Sequence, residues 1–200
     1  MTEVITITEI ENSPLVLHLH PVIQLTNDQF FDLCQLNQNL RFERTARGEL
    51  LIMPPTGTGG RNFRLIGQLF IWTEQDKIGI GFDSSTGFIL PNGAIVSPDA
   101  AWIKLERWNA LSTEQQEKLA AISPDFVVEL RSYSDNLTFL KAKMQEYINN
   151  GVKLGWLIDR KHRKVYIYRP QMLVECLDNP VTVSGEPELS GFVLNLSKIW

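Results

Sequence analysis

Cysteine is scarce in this chain. Of 200 residues only Cys34 and Cys176 are thiols, far apart and without CxxC spacing. That argues against a thiolate metal cage, and both thiols are expected to be reduced and buried, as in a cytoplasmic protein, with one disulfide between them the open alternative. Histidine is nearly as rare: His18, His20 and His162 form no zinc set, because no partner follows the first two at ligand spacing. No apolar run reaches the roughly 18 residues of a membrane span. The opening MTEVITITEI carries acids and lacks an apolar core, which argues against an export signal. Neither a GxxxxGK[ST] phosphate loop nor a Gly-x-Ser-x-Gly elbow is present, and no Cys/His nucleophile signature replaces them. Repeats and low-complexity runs are also missing.

What is present is an ordinary globular composition, 44% hydrophobic and 21% charged, long enough to bury a core without staples. Net charge is −4, but residues 141–170 hold eight lysines and arginines against Glu146 and Asp159. That segment is therefore +6 and the remainder −10. Two readings stay open: a surface that neutralises phosphates, or a solvated basic helix and hairpin.

Residues 1–25 read as an irregular N-terminal segment and 26–200 as one domain. Thr26-Asn27-Asp28 can cap a helix from about Gln29 to Asn39. Strands are expected at Leu40–Arg44 and Glu49–Met53 around a turn containing Gly48, with Pro54-Pro55 stopping the second. The loop Pro54–Gly60 reads as a mobile lip, and its Gly-rich corner from Thr56 to Gly60 opens a helix over about Asn62–Glu74, where Leu65, Ile66, Leu69, Phe70 and Trp72 follow a 3.6-residue period. Extended segments follow at Ile78–Asp83, Gly87–Leu90 and Ala94–Lys104. A short helix over Thr113–Ala120, a strand over Asp125–Arg131 and an amphipathic helix over Leu137–Asn150 come next, the last stopped by Gly151. Lys153–Asp159 and Lys164–Arg169 form a hairpin, and further strands lie near Leu173–Leu177, Val181–Val183 and Val193. Trp102, Trp108, Trp156 and Trp200 sit in or beside apolar runs and are expected in the core or an interface. The pattern predicts an α+β fold: one mixed central β-sheet flanked by α-helices, with extra N-terminal and C-terminal strands.

Two acids stand out. Strand alternation in Asp125-Phe126-Val127-Val128-Glu129-Leu130-Arg131 puts Glu129 inside an apolar segment. An ionised carboxylate there costs several kcal/mol unless it is paired or coordinated. It could pair with Arg131, or it could hold a metal. Asp99, after Ser97-Pro98, opens another apolar strand; a turn aspartate is its plainer reading. Carboxylates from neighbouring strands can hold one hard divalent cation, Mg²⁺ or Mn²⁺, with the Leu130 backbone carbonyl as a further oxygen. Such an ion activates water for phosphodiester hydrolysis.

The runs Met53-Pro54-Pro55-Thr56-Gly57, Asp83-Ser84-Ser85-Thr86-Gly87-Phe88, Ser97-Pro98-Asp99-Ala100, Asp125–Ser132, Lys143-Met144-Gln145-Glu146-Tyr147 and Gly155-Trp156-Leu157-Ile158-Asp159 resemble the Uma-two family of restriction-endonuclease-like proteins. The resemblance spans roughly residues 28–200. It implies the PD-(D/E)XK nuclease fold and a metal-dependent endonuclease acting on DNA. Asp99 matches the aspartate of the PD element and Glu129 the acid of the E-x-K element. Arg131 stands where lysine is expected; it can clamp a phosphate but is a poor base. The resemblance suggests a displaced lysine on the following helix. Lys143 fits, bordering the apolar face in a column with Tyr147, although a boundary lysine covering apolar surface has the same pattern. Lys141, on the opposite margin, is the weaker candidate. Glu43 and Glu49 match acidic positions of the family, Glu49 being placed nearer the metal and Glu43 as an accessory group. Relatives carry a histidine where this chain has Arg61 and Asn62. A symmetric homodimer is an expectation for enzymes that cut both strands. Two other functions fit the same residues: a catalytically degenerate nucleic-acid-binding or assembly module, and a metal-dependent hydrolase of another substrate.

Overall fold

The structure is a computed structural model that describes residues 14–53, 59–133 and 135–200. The Pro54–Gly60 lip therefore falls largely outside the described residues. In chain order β1 (Leu15–Leu17), α1 (Asn27–Leu36), β2 (Arg41–Arg44) and β3 (Leu50–Met53) precede the long helix α2 (Gly59–Asp76). Next come β4 (Gly79–Asp83), β5 (Phe88–Ile89), β6 (Ile95–Val96) and β7 (Ala100–Lys104), then the short helices α3 (Leu105–Trp108) and α4 (Thr113–Glu117). β8 (Phe126–Arg131), α5 (Leu137–Asn149), β9 (Leu154–Asp159) and β10 (Lys164–Tyr168) follow. β11 (Glu175–Asp178), β12 (Thr182–Ser184) and β13 (Val193–Asn195) complete the strands.

The centre is a mixed six-stranded sheet in the order β11-β10-β9-β8-β7-β4. Within it β8 and β9 run parallel, joined by α5 as a crossover. Leu140, Met144 and Tyr147 of α5 pack on one face with Val127 and Leu157. Leu65 and Leu69 of α2 cover the other face with Val128 and Trp156. Trp102 and Trp156 are fully buried there. Gly155 of β9 lets α5 sit close, since a Cβ would fall 2.5 Å from Met144 Cε.

Capping explains two helix starts. Thr26 and Ser112 each accept from the backbone N–H three residues on, and Gln29 and Gln115 reach back to complete capping boxes. Gly151, at φ 100°, follows the end of α5.

The expected mixed central sheet with flanking helices is present, and the extra strands join a second, five-stranded sheet (β1-β3-β2-β6-β5) and a β12-β13 pair. Finer expectations need correction. The lead segment is not wholly irregular, because Leu15–Leu17 pairs antiparallel with β3. Ala94–Lys104 is not one strand: Ser97-Pro98-Asp99 divides it between two sheets, as a proline without an N–H allows. Cys34 and Cys176 are free, but Cys34 is only partly buried and Cys176 is exposed. Phe70 projects outward from α2. Among the described residues no helix is long and apolar enough to cross a membrane.

Candidate active site

The break at Pro98 sets the site. β7 pairs antiparallel with β8 with Ala100 opposite Val128, so one step further along the register Asp99 faces Glu129. The Leu130 N–H donates to Asp99 Oδ2 at 2.8 Å, fixing the aspartate against β8. Its other oxygen accepts from Asn62 Nδ2 at 2.8 Å, from the first turns of α2. Asp99, Glu129, Leu130, Glu43 and Lys143 all line one cleft between the two larger sheets and α5.

Lys143 reaches this cleft from α5. Its Nζ lies 2.9 Å from Glu129 Oε1 and 2.8 Å from Glu43 Oε1. Tyr147, one turn on, donates its hydroxyl to the same Glu129 oxygen at 2.8 Å. Glu43 is held in turn by the Ser97 N–H at 2.9 Å. Exposure is only 3% for Glu43, 5% for Glu129 and 6% for Lys143, so these charges interact with little screening by water.

Burial pushes the Glu129 carboxyl up to about 7; Asp99 and Glu43 add to the rise and Lys143 opposes it. Burial works against the Lys143 ammonium, yet Glu129 and Glu43 outweigh it and raise its pKa above the ordinary lysine value. Tyr147 is pushed well above its ordinary range, first by burial and then by Glu129, and so remains a hydrogen-bond donor.

Three carboxylates and one ammonium in one cleft leave an excess of negative charge. Hard oxygen donors with that excess suit a divalent cation. Asn62 Oδ1, buried beside Asp99 without a hydrogen-bond partner among the described residues, is a further oxygen. Among the described residues no group of three or more His, Cys, Asp or Glu side chains is arranged to hold an ion. Asp99 and Glu129, opposite each other in the β7–β8 register, fit a two-carboxylate site of the kind that keeps several waters.

Not every candidate joins this cluster. Arg131 is 1% exposed and its guanidinium is committed elsewhere, to Asp159 at 3.0 Å and to the Asp135 carbonyl at 2.9 Å. It neither pairs with Glu129 in the bonds described nor faces the cleft as a phosphate clamp, because the adjacent parallel strand puts Asp159 opposite it. Glu49 lies outside the cleft lining, held by Thr45 Oγ1 and His18 Nδ1, each at 3.0 Å. Glu43, ranked second from the sequence, is the one that meets Lys143. Lys141 stacks over Tyr166 instead, 4.1 Å from the ring centroid. Sequence pattern does not single out Asn62 or Asp159: the first only stands where relatives have a histidine, and the second lies in the basic segment with its partner far off in the chain.

A mixed sheet with one acid on β8 and another just before its neighbour β7, and with helices on both faces, is the restriction-endonuclease-like class. The chain belongs to the family described as "Uma2: Putative restriction endonuclease", which matches residues 27–197. It is similar in fold to a crystal structure from Anabaena variabilis described as "a putative nuclease belonging to DUF820", with a TM-score of 0.72 and 20% identity over 88% of this chain and 97% of that one. No curated protein matches the chain.

Proposed function

We propose that the protein is a metal-dependent endonuclease that hydrolyses phosphodiester bonds in DNA. The observation that carries this reading is the shared cleft of Asp99, Glu129 and Lys143, reached from the link before β7, from β8 and from α5. Asp99 and Glu129, with the Leu130 carbonyl, would hold Mg²⁺ or Mn²⁺. When bound, that ion supplies Lewis-acid polarisation of the phosphate and a lowered pKa for water.

The chain's own residues do the rest. Asn62 and the Leu130 N–H orient Asp99. Tyr147 and Lys143 hold Glu129 Oε1, fixing the carboxylate in place. The Lys143 ammonium offers a cation for charge developing on the phosphate, replacing the lysine absent at position 131. Glu43 keeps that ammonium at the cleft wall.

The test is cleavage of supercoiled plasmid with Mg²⁺ or Mn²⁺ by wild type, Asp99→Ala, Glu129→Ala and Lys143→Ala. Nicking by wild type that is lost in the carboxylate variants supports the reading. Nicking that survives both carboxylate substitutions removes it, and binding without cleavage favours the non-catalytic module.

A further inference from the structure

Lys143 and Arg41 already line the cleft, but Arg131 is committed to Asp159, so an arginine fork at this end of β8 has to come from a neighbour. We infer that Arg160, outside the cleft lining but tethered to the strand end beside it, contacts a phosphate flanking the carboxylates, an inference that rests on the nuclease reading above. Arg160 directly follows Asp159, which sits opposite Arg131 in the parallel β8/β9 pair. Its Nε donates to the Arg131 backbone carbonyl at 3.1 Å. That carbonyl belongs to the residue after Leu130, whose N–H holds Asp99. The guanidinium is thus tethered by one nitrogen to the strand end that carries Glu129.

Its two terminal nitrogens have no acceptor and no salt-bridge partner among the described residues. The side chain is half-buried. Burial, followed by the neighbouring Arg61, holds its pKa below the ordinary arginine value, against the pull of Asp135 and Asp99. A partly desolvated guanidinium with a free fork, close to a second arginine, matches the bidentate geometry by which arginine takes a phosphate.

The Arg131–Asp159 pair then has a positioning role. Asp159 also accepts from the backbone N–H groups of Lys161 and His162 and meets His162 Nδ1 at 2.7 Å. These bonds fix the turn that presents Arg160.

Two measurements on the full chain test this. In arginine side-chain ¹⁵N spectra, titration with inorganic phosphate should shift the Arg160 Nε–Hε signal, identified by its loss in R160K. In fluorescence anisotropy with a labelled DNA duplex and Ca²⁺, R160A should weaken binding about tenfold and reduce the salt slope by roughly 0.9, one phosphate contact. R160K, keeping the charge, should recover part of the affinity. Absence of the phosphate-dependent shift overturns the inference whatever the protein does to DNA. An unchanged salt slope in R160A also overturns it and leaves the nuclease reading standing. A phosphate shift at Arg160 in a protein that neither binds nor cuts DNA upholds the anion site and removes the nuclease.

Discussion

The Leu130 N–H donates to the Asp99 side chain across 2.8 Å, so a residue that only precedes β7 is fixed to β8. Asparagine at position 99 can still accept that bond through its amide oxygen. Asp99→Asn should therefore melt within a few degrees of wild type, yet cut DNA about 100-fold more slowly or not at all, because the lost charge is what a divalent ion requires. Thermal unfolding and plasmid cleavage measured on the same preparation check this. A folded Asp99→Asn protein with full activity would speak against a metal role for Asp99.

Among the described residues Lys143 is the one cation bonded to both Glu43 and Glu129. Lys143→Met fits the helix and its apolar neighbours but leaves two buried carboxylates facing each other. Breaking a buried pair in this way costs about 3 kcal/mol or more. Urea unfolding near neutral pH should show that loss. It should shrink on acidification, where the carboxylates can protonate.

Tyr147 contributes a single buried hydroxyl to Glu129. Tyr147→Phe keeps the ring and removes the donor, for a cost of about 1–2 kcal/mol in denaturant unfolding. Cleavage should fall less than in the Asp99 and Glu129 variants, since Lys143 still holds the same oxygen.

Asp159 gives the pH dependence a sign. Burial raises its pKa, but His162 and Arg131 outweigh that and hold it below the ordinary 3.8. Folding therefore favours the carboxylate. The stabilisation is complete above the ordinary value and is lost as pH falls through the lower, folded one. Asp159→Asn leaves the buried Arg131 guanidinium without its anion, at a cost of about 3–5 kcal/mol. That deficit should stay constant above about pH 4 and narrow only below it, as urea unfolding at stepped pH would reveal.

Much of the candidate site was legible once the family resemblance was set beside local pattern. Alternation marked Glu129 as an acid within an apolar strand, and helical spacing put Lys143 at the edge of the apolar face. Ser97-Pro98 exposed Asp99 as a strand-opening acid, although the same proline divides the segment between two sheets. What local pattern could not give was pairing between strands. Glu43 and Glu49 look alike in sequence, and only the β2–β6 contact brings Glu43 to Ser97 and Lys143. Arg131 looked free to clamp a phosphate because its partner lies 28 residues away on a parallel neighbour. Parallel register depends on how the crossover helix packs, which side-chain periodicity does not encode.

Titration with Mn²⁺, followed by electron paramagnetic resonance of the free ion, puts the two-carboxylate site to the most direct test. Wild type should bind the ion at a site that is lost in both Asp99→Ala and Glu129→Ala while Glu49→Ala retains it. Mn²⁺ binding that persists unchanged in both carboxylate variants would contradict the account.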